Sequence, residues 1–329
     1  MSADGERVAV GARLNDGNGS NSGHVRVYYD NGGTYERLGQ DIDGAAAGDE
    51  FGVDIAMSAD GRRVAISAPK NDDNGVDSGH VRVFQYNGTA WVQLGLDIDG
   101  EAADDLIRRV ALSADGLRVA FTALRNDGGG SNSGHVRVFQ YDGVNWAKVG
   151  QDIDGLAADD QLDAVALSAD GSRLAIGSPA GDRSATNNGY VRTYQWNQTL
   201  HVWEIIGNEI YQAVQNNFYL SGNGALAFSA DGSRLAVGAH GFSSNRGLVY
   251  TYEYLRNNTL SVTQTTNPNI ADITLAPIDL AYLTTTTVSI VNAAGNSVSN
   301  ISSAGTYTVT YTSTNMKNES SQLVLTVIR

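Results

Sequence analysis

SADGRRVAISAP, residues 58–69, decides the fold because it recurs along the chain at nearly constant spacing. Its first four residues occur five times, beginning at Ser2, Ser58, Ser113, Ser168 and Ser229. Successive copies lie 56, 55, 55 and 61 residues apart, and each is followed by an apolar segment such as RVAVGA or RLAIGS. Self-similarity at such a period indicates a protein built from one repeated supersecondary unit.

One unit contains four segments in which apolar and polar residues alternate, and we interpret them as strands. They are VDIAMS from Val53, RVAISAP from Arg63, HVRVFQY from His80 and AWVQLGLDI from Ala90. Four strands per unit predict an all-β fold: a β-propeller of about five four-stranded blades over residues 1–256. Because the chain starts inside a unit, a longer propeller is the alternative.

An Asp-Gly pair joins the first two strands of each unit and fits a tight hairpin. The aspartates in question are Asp60, Asp115, Asp170 and Asp231. We expect them to be turn residues, since equivalent copies cannot all form one active site.

The segment Gly48-Asp49-Glu50-Phe51-Gly52, followed by Ser67-Ala68-Pro69, resembles the FG-GAP repeats of integrin-type propellers. The resemblance covers about residues 1–255 and implies a surface-binding propeller. The Phe-Gly position reads Leu106-Ile107 in the next unit and Leu162-Asp163 in the one after. Where the family has its calcium loop, this chain has only the short Ser-Ala-Asp-Gly turn.

After about residue 256 the repeat ends and Thr, Ser, Asn and Val dominate. Alternation in GTYTVTYTSTN from Gly305, with VSIVNAAGN before it and SQLVLTVIR after it, predicts strands of a small sandwich. The sequence GTYTVTY resembles immunoglobulin-like modules of bacterial and viral surface proteins. That resemblance implies such a module over residues 257–329 and an extracellular, cell-surface or virion-surface location.

The chain is acidic, with 36 Asp and Glu against 22 Lys and Arg and a formal net charge of −14. This charge repels phosphate backbones, so we expect no nucleic-acid partner. We expect no membrane insertion, because no apolar run approaches the roughly 18 residues of a membrane span, and no export signal is visible. Cysteine is absent, which excludes disulfides and thiolate chemistry.

Two sets of loops should share one face of the propeller: those between the second and third strands, and those between the fourth strand and the next unit. Both sets are acidic, and Asp-x-Asp-Gly supplies the oxygen ligands and sharp turn that calcium requires. The candidate metal ligands are Asp41, Asp43, Asp49, Asp97, Asp99, Asp104, Asp105, Asp152, Asp154, Asp159 and Asp160. A solvated acidic rim held by Asx turns is the alternative to a calcium cofactor.

Two other residue types recur at fixed positions. The histidines are His24, His80 and His135, and the tryptophans are Trp91, Trp146 and Trp203. We expect the histidines to connect neighbouring blades through hydrogen bonds or charge pairs with the acidic loops, rather than to bind metal. We expect the tryptophans to fill space between blades, since stacking on carbohydrate would require exposed rings.

No hydrolase elbow, zinc-protease helix, phosphate loop or dinucleotide fingerprint is present, so we predict that the protein is not an enzyme. We predict a binding or adhesion protein whose acidic loops contact a protein or glycan ligand at a cell or particle surface. The alternatives are a glycan-binding or glycan-hydrolysing propeller, marked by one pocketed carboxylate pair, and a structural spacer without a ligand. Residues 207–224 break the repeat, so a unique site is expected near them.

Overall fold

The computed structural model describes residues 1–182, 189–211, 224–239, 248–255, 259–263, 285–292, 297–298, 307–314 and 320–327. The chain divides into two compact regions, Met1–Val249 and Tyr250–Arg329, and the word unit is kept for one repeat. The regular elements of the described residues are β-strands, as predicted. Accordingly, this part of the chain contains no helix with the length and hydropathy of a membrane span.

The first compact region consists of successive antiparallel sheets. The first sheet contains β1 (Arg7–Ala12), β2 (His24–Asp30), β3 (Tyr35–Arg37) and β4 (Ile42–Asp43). The second contains β5 (Ile55–Met57), β6 (Arg63–Ala68), β7 (His80–Tyr86), β8 (Trp91–Gln93) and β9 (Ile98–Asp99). The third contains β10 (Ile107–Leu112), β11 (Arg118–Ala123), β12 (His135–Tyr141), β13 (Trp146–Lys148) and β14 (Ile153–Asp154).

The fourth sheet contains β15 (Ala164–Leu167), β16 (Arg173–Ser178), β17 (Tyr190–Asn197), β18 (Val202–Ile205) and β19 (Ile210–Tyr211). After it, β20 (Leu226–Phe228) pairs with β21 (Arg234–Ala239). The predicted order of strands within a unit is therefore confirmed. In the first four sheets the strands pair in chain order except the short last one, which pairs with the strand two before it, as β9 does with β7. The number of blades stays a prediction.

The predicted fourth strand of each unit is two short strands rather than one. In the second sheet, β8 pairs with one end of β7 and β9 pairs with the other end of the same strand. Between them Gly95 has a φ of 74°. A Cβ atom there would lie 2.9 Å from Cδ1 of Trp146. The prediction of one continuous strand was wrong because the backbone turns aside to admit a tryptophan from the next sheet.

Each hydrophobic core lies between two successive sheets. One cluster joins Val25 and Val27 of the first sheet to Val64, Ile66 and other residues of the second. Similar clusters join the second sheet to the third and the third to the fourth. Sheets stacked through shared cores are the packing of a propeller, in which each repeat contacts its neighbours.

The Phe-Gly position differs by one residue from the prediction in the third sheet. Phe51 is fully buried, and a Cβ atom on Gly23 would meet its amide nitrogen at 2.6 Å. The same close approach joins Gly79 to Ile107 and Gly134 to Leu162. Ile107, and not Leu106, therefore takes the place of the phenylalanine. The assignment of Leu106 was wrong because Ile107 lies six residues before its Ser-Ala-Asp-Gly turn at Ser113, whereas Phe51 lies seven residues before the turn at Ser58.

The Ser-Ala-Asp-Gly segments form tight turns that also join the sheets, which confirms their structural role. In the second unit, Oδ1 of Asp60 accepts hydrogen bonds from Ser58 Oγ at 2.6 Å and from the Arg62 amide at 2.9 Å. The turns contact one another through backbone bonds from Ala59 N to Ala114 O and from Ala114 N to Ala169 O, both 2.8 Å. The Ser-Ala-Asp-Gly motif therefore makes the same connection between successive sheets. We call each of these hydrogen-bonded turns a joint.

The second compact region contains its own antiparallel sheet, built from β24 (Thr285–Asn292), β25 (Ser297–Val298), β26 (Tyr307–Thr314) and β27 (Ser320–Val327). These strands lie side by side in the order β25–β24–β26–β27. Earlier in the chain, β22 (Leu248–Leu255) pairs with β23 (Thr259–Thr263). The strands predicted in this region are confirmed, whereas the immunoglobulin-like module and the boundary at residue 256 stay predictions.

Candidate functional site

The two sets of acidic loops are hydrogen-bonded to each other, as expected for loops that share a face. We call these paired segments the loop face: residues 13–23 with 44–54, 69–79 with 100–106, and 124–134 with 155–163. In the second pair, the amide of Asp104 donates to Val76 O at 2.8 Å and Asn74 Nδ2 donates to Gly100 O at 2.7 Å. The amide of Asp159 donates to Ser131 O at 2.8 Å in the third pair.

Three of the predicted metal ligands pair with arginines. They are Asp41, Asp97 and Asp152, whose partners are Arg26, Arg82 and Arg137. Hydrogen bonds from Arg26 lower the pKa of Asp41 below its ordinary value. Burial raises the pKa of Asp152, but hydrogen bonds from Arg137 and Lys148 outweigh it and the net shift is downward. The neighbouring cations therefore hold the Asp41 and Asp152 carboxylates ionised.

Three more of the predicted ligands are exposed at strand ends: Asp43, Asp99 and Asp154. Burial, followed by the nearby charge of Asp97, raises the pKa of Asp99. Burial and the charge of Asp152 do the same for Asp154. Neighbouring carboxylates of like charge repel each other, so a cation beside Asp97 and Asp99, or beside Asp152 and Asp154, would be favoured.

The remaining predicted ligands divide into buried and exposed residues. Asp49, Asp105 and Asp160 are buried, whereas Asp104 and Asp159 are exposed. Oδ2 of Asp105 accepts from the amides of Glu101 and Ala102, both at 3.0 Å. Asp160 likewise accepts from Leu156 N at 2.8 Å and from Tyr190 OH at 2.9 Å. The buried members therefore order the loops from within.

Among the described residues, one group of three side chains is close enough to share an ion: Asp73, His80 and Asp97. Only Asp97 belongs to the predicted set of ligands. The sequence signal that identifies Asp73 is a difference between units, because its equivalents in the neighbouring loops are Gly17 and Gly128. The calcium cofactor stays a prediction.

The recurring histidines begin the third strand of their units and are buried. Neither ring nitrogen of His80 has a hydrogen-bond partner, and Nε2 of His135 has none. Burial, together with the adjacent Arg137, lowers the pKa of His135 to about 4. His80 therefore makes no connecting hydrogen bond; its ring packs edge-on against Phe51, and its Nδ1 faces the acidic side chains of Asp73 and Asp97 at 3.8 and 3.7 Å.

The recurring tryptophans fill space between sheets, as predicted. Trp91 and Trp203 are each 3% exposed. Nε1 of Trp91 donates to Leu38 O at 2.8 Å, and Nε1 of Trp146 donates to Leu94 O at 2.7 Å, so each ring bridges to the preceding sheet. Buried rings cannot stack on a carbohydrate.

Two cavities in the first compact region are lined in part by charged side chains. The inner cavity, about 580 Å³, is lined by Asp54, Arg109 and residues of β5, β10, β15 and β20. Burial raises the pKa of Asp54, whose Oδ2 accepts from Val110 N at 2.9 Å. Arg109 Nε lies 3.0 Å from Asp163 Oδ1. The sequence carries no signal for Asp54 and Arg109, because Asp54 immediately precedes β5, Arg109 lies within β10, and neither belongs to a motif.

The second cavity, about 630 Å³, opens on the loop face. Its lining includes Glu101, Asp104, Arg125 and Asp127. All four of these side chains are exposed. The predicted unique site near residues 207–224 falls mostly outside the described residues, although Gly224 lines the inner cavity.

Comparison with known proteins identifies the fold and one repeat. An FG-GAP repeat is found at residues 42–84. No curated protein matches the sequence. The structure of a Pseudomonas aeruginosa periplasmic gluconolactonase is similar with a TM-score of 0.51 at 13% identity, covering 96% of this chain and 81% of that one. At this identity the similarity indicates the fold alone, a propeller.

Two further structures have lower scores. Kuenenia stuttgartiensis hydrazine synthase has a TM-score of 0.49 at 14% identity over 77% of this chain. Kluyveromyces lactis Hsv2 has a TM-score of 0.45 at 19% identity, covering 73% of this chain and 67% of that one. The chain spans 63% of the length of the hydrazine synthase chain.

Proposed function

We propose that this protein is a non-enzymatic binding or adhesion protein whose loop face contacts a basic protein partner at a cell or particle surface. The observation that supports it is the cavity of about 630 Å³ on the loop face, in which three exposed carboxylates stand beside one arginine. Opposite charge across an interface raises the association rate and selects partners. Calcium bound among the remaining aspartates would be compatible with this role. The proposed setting is extracellular, with neither nucleic-acid binding nor membrane insertion.

The test uses a fluorescent deca-lysine peptide as the probe, with deca-glutamate as its counterpart. The loop-face variant combines Glu101→Gln, Asp104→Asn and Asp127→Asn. The control variant combines Glu6→Gln, Glu36→Gln and Glu204→Gln, which changes the net charge equally away from the loop face. We expect deca-lysine to bind, with affinity lost about tenfold in the loop-face variant at moderate salt. Equal losses in both variants would contradict a specific surface, and no binding would favour the spacer.

A second candidate function, hydrolysis of a sugar-derived substrate, is favoured by the inner cavity. Asp54 lines this cavity beside Arg109, whose guanidinium group pairs with Asp163 outside the lining. A carboxyl group whose pKa is raised by burial can donate a proton as a general acid. The similar periplasmic gluconolactonase suggests a first substrate, a gluconolactone. Hydrolysis above the spontaneous rate that disappears in Asp54→Asn would favour this function, and activity that persists there would argue against this site.

A further inference from the structure

The second unit differs from its neighbours at one point of the loop face. Asp73 comes from the loop before β7, His80 begins β7, and Asp97 immediately precedes β9. The Nδ1 atom of His80 lies 3.8 Å from Asp73 Oδ2 and 3.7 Å from Asp97 Oδ2. One ligand atom from each side chain lies within 4.8 Å of the others.

The histidine in this group is an independent sign of a ligand. His80 is fully buried, and neither of its ring nitrogens has a hydrogen-bond partner. Buried polar atoms without partners are rare in native proteins because they lose water without gaining a substitute. An ion at Nδ1 would supply the missing partner.

We propose that Asp73, His80 and Asp97 bind one transition-metal ion of the zinc class. This inference is independent of the proposed binding function. Imidazole nitrogen with two carboxylates suits zinc and its neighbours in the first transition row, whereas calcium and magnesium prefer oxygen ligands throughout. Solvent or a fourth group would complete the coordination.

The spacing fits an ion of this size. With metal–ligand bonds of about 2.0–2.1 Å, tetrahedral ligand atoms lie about 3.4 Å apart. The two nitrogen–oxygen distances, 3.7 and 3.8 Å, exceed that value by a few tenths of an ångström. Asp73 can close the gap, since its side chain is 58% exposed. Two carboxylates repel each other when no ion lies between them, and a cation would draw them together.

Neighbouring side chains hold Asp97 in position for this role. Arg82 Nε donates to Asp97 Oδ2 at 2.8 Å, and Gln93 Nε2 donates to Oδ1 at 2.5 Å. A carboxylate oxygen has two lone pairs, so it can accept a hydrogen bond and bind a metal ion together. Such outer partners are typical of metal sites, where they orient the ligands.

The neighbouring units provide natural controls. His24 with Asp41, and His135 with Asp152, repeat two members of the group, but Gly17 and Gly128 replace the third. Among the described residues neither neighbouring unit forms a group of three ligands. Asp73→Gly therefore installs the residue that both of these loops already tolerate. Gly17→Asp would build the complete set in the first unit.

The experiment is a zinc titration of the full chain after treatment with a chelator, read by competition with a chromophoric chelator and by elemental analysis. We expect the wild-type chain to bind one ion at this site and Asp73→Gly to bind it at least about tenfold more weakly. Gly17→Asp should bind one additional ion. In a nitrogen NMR spectrum, the His80 Nδ1 resonance should shift on zinc addition in the wild type.

Three results would overturn the proposal. One is equal zinc affinity and stoichiometry in the wild type and Asp73→Gly, which would locate the ion elsewhere. Another is an unchanged His80 Nδ1 resonance at saturating zinc. The third is displacement of zinc by an equal concentration of calcium, which would contradict the choice of ion. Because the NMR measurement needs only the wild-type chain, it decides the question even if a variant fails to fold.

Discussion

The turns that join the sheets and the loop face both contain aspartates, but the two regions use them differently. Asp60 is bound within its own turn by Ser58 and Arg62. Asp104 and Asp159 on the loop face have exposed side chains. An aspartate that recurs in every turn therefore indicates a structural role. In the loops, the residue that indicates binding is the one that differs between repeats, Asp73 in place of glycine. If the joints carry stability and the loop face carries binding, substitutions should separate the two.

The largest expected effect is in the hydrophobic packing between sheets. Trp91→Ala removes a ring that is 3% exposed and packs across two sheets, so we expect a loss of about 3–5 kcal/mol in the free energy of unfolding. The measurement is the urea unfolding midpoint. Val92→Ala is the matched control, because Val92 is next in sequence and 51% exposed. Equal shifts in the two variants would show that the ring does not hold the sheets together.

A smaller loss is expected at the turn serine. Ser58→Ala deprives Asp60 of a donor and the partly buried Arg63 amide of an acceptor at 2.9 Å, which should cost about 1–3 kcal/mol. Ser229→Ala makes the same change in a more exposed turn, where water can replace the lost bonds, and should cost less. Thermal unfolding of both variants tests the difference. A larger loss at Ser229 would contradict the assignment of stability to buried joints.

Two aspartates should shift stability with pH in opposite directions. Burial raises the pKa of Asp54, so the folded state binds its proton more tightly and loses stability as pH rises through and above the unfolded value of about 3.9. Burial also raises the pKa of Asp60, but hydrogen bonds from Ser58 and the Arg62 amide lower it overall. Its stabilisation is therefore present above about pH 3.9 and is lost as pH falls through its folded pKa.

The corresponding variants should reveal these signs in unfolding measured from pH 3 to 7. Asp54→Asn should gain stability relative to the wild type as pH rises, because the variant carries no buried charge. Asp60→Asn should lose stability relative to the wild type over the same range. Parallel curves for both variants would mean that neither carboxyl changes its pKa on folding.

The smallest effect is expected for an ion pair on the loop face. Lys70 Nζ lies 2.7 Å from Glu50 Oε1, and the lysine side chain is 48% exposed. Lys70→Gln should therefore cost about 0–1 kcal/mol, less at high salt. Chemical unfolding at low and high salt measures it. A loss as large as that of Trp91→Ala would erase the distinction between joints and loop face.

Much of the fold was predictable because strand alternation and turn chemistry act over a few residues. The strands from Arg63 and His80, the turn at Asp60 and the packing of Trp91 between sheets all follow from local pattern and repetition. The break at Gly95 did not, since its cause is a tryptophan 51 residues later in the chain. The one-residue shift at Ile107 likewise depends on close approach to Gly79, which no local pattern records.

The candidate sites were less predictable. Eleven aspartates fitted the chemistry of calcium equally well on sequence grounds, since spacing does not reveal which carboxylates are already bound by arginines or amides. Asp105 and Asp160 proved to be acceptors inside their own loops. The sequence by itself determined the repeat, the strands, the joints and the acidic character of one face, because these depend on local order and composition. Only the tertiary structure brought Asp73, His80 and Asp97 together and gathered Asp54 with Arg109 around a cavity, because convergence of distant side chains is set by how the sheets stack.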